Sequence, residues 1–580
     1  MWPNIDSDRL QGEDNRRRRS ALACNVCRAR RTKCDGQRPK CSFCTERGRV
    51  CSYEEPQNIP PSPLKGELSK LWEQLDFLTE MVQGQNFQGS PSAGERKRGA
   101  SLPTPVVPQD FPFMTLQSAS FMNLIGLDSS LSSRLEHMER GRPAILVRPS
   151  RPRIVVTRIQ DASCLMNAFM EHIQIWYPLL HAEFTDEMIL AVTSGFTPSV
   201  SSCLALLVLA IGSVVELESI LDALERHPEE RYIHAAMDML PCIFADSSPQ
   251  SAQCLLLFAV YHLLYGRPWQ AHDNVAMASF KLQEYLTNQV EIGHDTTQMS
   301  ITANCFWSAL LIESEILVQL DLVSSGIWSM SSFAPAPTGS NTWIWPISQS
   351  VDYPTPTPSE RDSGPYHQPN DLSYFVAEIA MRKMLQRCTW ATSTPDQGSG
   401  HVYAPIVAAE LERQLDQWHQ LLPEPISFSI PRDVVEFPPY PRRHPNGAQV
   451  AFLRTQYYAF KASIYWPAVY EALTVADVSE DLLRYCERFF SSYTEFVASA
   501  VTAVAVCRPN LWTLCTSVFT ISMATLAALA EPCPFDVVPQ GVLQGLRLAV
   551  KMFDGVKAVS PSLAEMGSLL AKRIRTYDMS

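Results

Sequence analysis

From Asp161 onward, apolar side chains recur at helical spacing. Leu165, Phe169, Ile173 and Trp176 step by four, four and three, with Asp161 placed to cap the helix and Pro178 to end it. The same pattern predicts further helices over about 200–222, 228–244, 250–266, 272–290 and 299–322. It resumes over 372–392, 404–422, 447–472, 478–506, 510–530 and 537–575. Strand-like alternation is scarce, and no fixed-period repeat stands out. Helix after helix with short connections predicts one large all-α body over 161–580, broken by an exposed Pro/Ser-rich loop at 333–371.

Upstream the pattern is different. Leu64, Leu68, Leu71, Leu75, Leu78 and Val82 recur at spacings of 4, 3, 4, 3 and 4, the seam of a short parallel coiled coil over 64–87. A single amphipathic helix docked on its own domain is the alternative. Before it, 53–63 is a Pro-rich linker. Counted with Ser52, its twelve residues reach roughly 37 Å at ~3.1 Å per residue, about one turn of duplex DNA. Residues 88–160 are rich in Gly, Ser, Pro and Gln and are expected to be mostly linker, with a short helix around Phe121–Met138. Residues 1–20 form a polar tail expected to be disordered. Its run Arg16–Arg19 suits either a solvated tail or a nuclear-import signal.

Composition changes this picture in two ways. The 580 residues are 46% hydrophobic, enough for a sizeable core, and the formal net charge of −12 argues at first against a nucleic-acid partner. However, residues 16–51 hold twelve Arg/Lys against two acids, Asp35 and Glu46. A basic arm of +10 therefore sits on a remainder of −22. No apolar stretch follows the start in the manner of a signal peptide. The longest apolar runs, Leu204–Val215 and Cys254–Tyr265, fall short of the ~18 residues of a spanning helix. A soluble intracellular protein is expected.

The cysteines divide the same way. Of sixteen, ten are scattered singly through apolar segments, as expected of small core residues in a reducing compartment. The other six, Cys24, Cys27, Cys34, Cys41, Cys44 and Cys51, repeat C-x2-C-x6-C twice across a six-residue gap. Disulfides are disfavoured in that compartment, and an iron–sulfur cluster normally takes four cysteines. One tetrahedral zinc would leave two cysteines spare. Two zincs need eight ligand positions, which six sulfurs fill only if two of them bridge. Between Cys27 and Cys34 stand Arg28, Arg30, Arg31 and Lys33, whereas the matching segment TERGRV of the second half is less basic and carries Glu46. The first half is thus placed to face DNA and the second to brace it. With two zincs and six thiolates included, residues 16–51 stay near +8, a strong local field for phosphate.

This stretch closely resembles the fungal binuclear zinc-cluster (Zn2Cys6) DNA-binding domain, in its six cysteines, its RARRTK segment, Asp35 after the third cysteine and Pro39 in the loop joining the halves. The resemblance implies that Cys24 and Cys41 bridge the metals. One zinc would take Cys24, Cys27, Cys34 and Cys41, the other Cys24, Cys41, Cys44 and Cys51. It also implies a first helix in the major groove reading a CGG-like half-site. Arg31 then stands at the base-reading position with Arg30 beside it, and Arg28 and Lys33 contact phosphate. The family often has lysine where Arg31 stands, and arginine can still pair with guanine O6 and N7. The segments LMNAFMEHIQIWYPLLHAEF, LSYFVAEIAMRKMLQRC and LRTQYYAFKASIYWPAVYEAL resemble the fungal-specific transcription-factor regulatory (middle homology) domain. The two resemblances cover about residues 20–87 and 161–530.

Other chemistry is sparse. His172 and His181 lie near Glu171 and Glu183, but H-E-x-x-H is absent, as are G-x-S-x-G, the P-loop and G-x-G-x-x-G. The aromatics Trp176, Tyr177, Trp307, Tyr457, Tyr458, Tyr465 and Trp466 are expected in the helical core. The expectation is a mostly α protein: a small binuclear zinc cluster over 21–52, a coiled coil and an all-α regulatory body. It would act in the nucleus as a homodimeric, zinc-dependent transcription factor with the transcription machinery as partner. An activator of a fungal secondary-metabolite gene cluster is the leading reading. A repressor or a regulator of primary metabolism is the alternative, and a metal-buffering or scaffold protein is the rival class. A buffer would have no need of arginines between its ligands.

Overall fold

Helices make up all the regular structure that the computed structural model describes. It covers residues 27, 34–35, 40–48, 51, 116, 119–128, 130–143, 155–181, 183–288, 296–320, 322–337, 372–392, 405–430, 447–474, 478–529 and 540–579, and no strand occurs among them. The chain divides into two units, Met1–Gly89 and Ser90–Ser580. The first contains the short helix α1 (Ser42–Glu46). The second begins with α2 (Ala119–Leu124), α3 (Leu131–Arg140), α4 (Ile159–Phe169), α5 (Phe184–Thr193) and α6 (Val200–Val215). It continues with α7 (Ile220–Arg226), α8 (Glu230–Asp238), α9 (Leu240–Ala245), α10 (Pro249–Leu264), α11 (Pro268–Asn288) and α12 (Thr296–Leu317). Its last third is α13 (Ser373–Thr392), α14 (Pro405–Gln420), α15 (Gly447–Thr474), α16 (Glu480–Val506), α17 (Leu511–Ala528), α18 (Gln540–Val556) and α19 (Pro561–Met579).

The interior is set by three helices that carry no Asp, Glu, Lys or Arg and are buried all round. Helices α6, α10 and α17 have nearly every residue inside. Against α6 lies α4, and Gly212 makes the crossing possible. A Cβ there would sit 2.1 Å from the carbonyl oxygen of Leu165. The amphipathic α16 packs over α15, α17 and α18. Its start is fixed by the Ser479 hydroxyl, which accepts from the Leu482 N–H at 3.3 Å, and by Glu480 and Asp481 in the first turn. Trp176, Tyr177, Trp307, Tyr457, Tyr458, Tyr465 and Trp466 are all core residues, at most 7% exposed.

Several boundaries differ from the sequence pattern. Asp161 is no cap, because α4 starts at Ile159 and Asp161 lies in its first turn. A π-helical turn, Met170–Gln174, follows α4 and lets Gln174 bond both the N–H and the C=O of Leu180. The expected helix 200–222 is two, since Ser219 caps α7 by accepting from Leu221 N at 3.1 Å. Those at 228–244 and 537–575 break where Pro241 and Pro561 stand in the first turn of new helices, the place proline is best accommodated. The helix around 121–138 is α2 and α3, parted at Gly126, whose φ of +64° favours glycine.

Part of the expected linker 88–160 belongs to the body. Helix α3 packs on α19, and the Glu139 carboxylate is wholly buried, accepting from the Ser562 N–H at 3.1 Å, from the Ser560 hydroxyl and from Arg142 at 2.8 Å. Arg142 in turn donates to the carbonyls of Tyr265, Gly266 and Val559. Phe121 meets Trp466 edge to face at 5.8 Å. The membrane expectation also needs correction. Helices α16 and α17 are long and apolar enough to cross a membrane, their hydroxyl residues having hidden this in a count of unbroken apolar runs. The apolar window of α17 is 89% buried within the body. The seam Leu64–Val82 lies outside the described residues, as do 338–371 of the loop expected at 333–371.

Candidate metal centre

Cysteine contributes little to a core by volume, yet Cys27, Cys41 and Cys44 are fully buried in a segment with almost no other apolar residue. What gathers them is local. Cys41 stands at the N-cap of α1, and Cys44 follows on its buried side. The helix ends at Glu46, and Gly48, at φ +60°, turns the chain with no clash to avoid; the conformation itself is what calls for glycine. That turn brings Cys51 back, and the Cys41 N–H donates to its Sγ at 3.4 Å. Phe43 closes one side under the Arg47 guanidinium, 5.1 Å from the ring centroid.

The sulfur geometry suits a metal. Cys27 Sγ and Cys41 Sγ are 3.8 Å apart, far beyond a disulfide bond. Sulfurs ~2.3 Å from one tetrahedral zinc are separated by about 3.8 Å. Two donor groups occur among the described residues, Cys27–Cys41–Cys44 and Cys34–Asp35–Cys41, each with its ligand atoms within 4.8 Å of one another. Cys41 is common to both. The first group sets Cys41 beside both Cys27 and Cys44, ligands that the expected assignment gives to different metals. Thiolates at this separation fit zinc, which would cross-link segments too short to hold together by apolar burial alone.

Asp35 has a role that sequence reasoning left blank. Because the Cys41 side chain makes no cap hydrogen bond, the first N–H groups of α1 need another acceptor. Asp35 supplies it. The Ser42 N–H donates to both carboxylate oxygens, at 3.2 and 3.1 Å, and the Ser42 hydroxyl donates to Oδ2. The residue after Cys34 is thereby tied to the residue after Cys41, joining the two halves of the repeat. The equal offset was the available signal. Of the expected ligands, Cys27, Cys34, Cys41, Cys44 and Cys51 are described. Cys24 and the basic residues Arg28, Arg30, Arg31 and Lys33 lie outside the described residues. His172 is exposed and His181 pairs with Glu187 at 3.4 Å; neither joins a donor group of three.

Comparison with known proteins decides the family. Residues 22–59 match the fungal Zn(2)-Cys(6) binuclear cluster domain. Over 534 residues the chain is 31% identical to a protein named as a transcription factor, ecdB, of Aspergillus rugulosus, covering 88% of this chain and 89% of that protein. The chain belongs to the fungal Zn2Cys6 transcription factors. Shorter matches include the sorbicillinoid biosynthetic cluster transcription factor sor4 of Hypocrea jecorina, 33% identical over 21% of this chain and 17% of that one. Another is the citrinin biosynthesis transcriptional activator ctnR of Monascus purpureus, 36% identical over 13% and 12%. No solved structure matches the chain significantly. A Zn2Cys6 transcription factor is a non-enzymatic regulator that holds two zinc ions in its cluster and binds DNA.

Proposed function

We propose that this Zn2Cys6 protein is a nuclear, homodimeric activator of a secondary-metabolite gene cluster. Zinc would be held by Cys24, Cys27, Cys34, Cys41, Cys44 and Cys51, with Cys24 and Cys41 bridging. The observation that supports the metal assignment is the placing of Cys41 within 4.8 Å of both Cys27 and Cys44, which would serve different metals. Arg31 and Arg30 would read CGG-like half-sites, Arg28 and Lys33 would neutralise phosphate, and the seam from Leu64 to Val82 would pair two chains. The import signal would be Arg16–Arg19. The pathway rests on the names of the relatives, several of which regulate secondary-metabolite clusters.

A mobility-shift series on paired CGG sites tests the reading. The wild-type protein should shift paired sites far better than a single site. Arg31→Ala should lower preference for CGG over mutated triplets about tenfold with zinc content unchanged, and retained preference would remove Arg31 from base reading. Leu71→Glu with Leu75→Glu should yield monomers in sedimentation. A chain that stays dimeric would place the pairing surface elsewhere.

A further inference from the structure

Between α12, α13, α15, α16 and α17 lies a cavity of about 80 Å³. Its apolar wall is built from Leu385, Phe460, Phe496, Leu514 and Ile521. Its polar wall carries two amide oxygens without a hydrogen-bond donor. Gln319, 4% exposed, donates its Nε2–H to the Ser517 hydroxyl at 3.1 Å, while its Oε1 has no hydrogen-bond partner. Gln456 donates to Glu378 Oε1 at 2.9 Å, which fixes the orientation of its amide, and its buried Oε1 is likewise unpartnered. The hydroxyl protons of Ser463 and Thr520 go to the carbonyls of Ala459 and Thr516. The two amide oxygens are the buried acceptors of this lining that lack a donor. The one cation, Arg382, is 6% exposed and is committed to Glu378 at 2.9 Å and to Glu315.

A buried carbonyl oxygen without a donor is costly, and two on one cavity form a recognition pattern. We infer that this cavity binds a small neutral hydroxylated molecule, whose O–H groups donate to Gln319 Oε1 and Gln456 Oε1 while its hydrocarbon part lies on Phe460, Phe496 and Ile521. An ionised carboxylate has no hydrogen to donate and would leave both amide oxygens unpartnered. An occupant here touches α12 and α13 on one side and α15–α17 on the other. It thus strengthens the joint between segments separated by the loop at 333–371. This goes beyond the DNA-binding assignment and does not depend on it.

The test compares two probes of one carbon skeleton, 2-butanol and 2-butanone, which differ in the donor the cavity requires. Ligand-observed NMR titration against the full zinc-loaded chain should show saturable binding of 2-butanol and binding of 2-butanone at least about tenfold weaker. Gln319→Leu should abolish that preference, and Ala459→Phe, which adds a ring to the lining, should abolish binding of both. Helical circular dichroism and cooperative melting verify that each variant folds. If Ala459→Phe fails to fold, the Gln319→Leu comparison decides alone. Equal affinity for alcohol and ketone, no saturable binding, or affinity unchanged by these substitutions would overturn the assignment. No readout involves DNA, so failure here leaves the transcription-factor reading standing.

Discussion

The cluster and the helical body use the same residue for opposite ends. In the body, Cys254, Cys305, Cys507 and Cys515 are fully buried among apolar side chains, and burial pushes their thiols well up; that of Cys486 rises to about 12. They stay protonated and act as small apolar groups. In the cluster, Cys27, Cys41 and Cys44 are as deeply buried, but their sulfurs crowd one another at ligand separation with almost no apolar neighbours. Burial therefore does not decide what a cysteine does. What surrounds the sulfur decides it, and the two units should fail under different stresses.

Chelation should separate them most sharply. Structural zinc supplies apparent binding energies of about 10–16 kcal/mol, far more than so small a unit has in other contacts. Removing zinc with a strong chelator should abolish DNA binding completely. Loss of helical circular dichroism should be slight, and the melting temperature of the body should not move. A body that melts along with the cluster would contradict the comparison. Moderate acid should weaken the body by a route of its own. His262 is buried on α10 beside Arg267 and Arg142. Burial first, then those two charges, depress its pKa from 6.5 to about 3. A depressed pKa adds stability above the unfolded value, and that stability is lost as pH falls from about 6.5 toward 3. At pH 5 the loss is about 2 kcal/mol. Denaturant melts of His262→Gln should show that much less pH dependence between 7 and 5, and an unchanged slope would clear His262 of the effect.

How far each unit could be read from sequence follows from the same contrast. The ligands are specified by identity and spacing, so the metal and its stoichiometry were readable from Cys24 to Cys51. The body is specified by periodicity, which located its helices but not their breaks. Ser219, Pro241 and Pro561 sit inside long apolar patterns, and their effect depends on backbone bonds that a pattern does not display. Contacts between distant segments left no local trace. Nothing near Glu139 announces Ser560 and Ser562, more than four hundred residues on, so residues around it were assigned to a linker. The cavity acceptors Gln319 and Gln456 were silent for the same reason, since a glutamine's missing partner shows only in three dimensions.

Asp35 gives the smallest and most discriminating test, because it lies in the metal-held unit and also hydrogen-bonds the start of α1. Its carboxylate holds the start of α1 through Ser42, and loss of such a cap costs about 0.5–2 kcal/mol. Asp35→Ala should therefore keep full zinc stoichiometry while weakening competition for zinc against a chromophoric chelator about tenfold. Asp35→Asn, which still accepts at one oxygen, should recover part of that loss. The His262 pH profile should be identical in both variants. Asp35 also stands within 4.8 Å of Cys34 and Cys41 as a potential third donor, and the two roles predict different results. If its oxygen ligates metal, Asn will fail to rescue and the stoichiometry will fall. If it caps, the cluster keeps its metal and loses only part of its grip, because the energy holding that unit resides in the sulfurs.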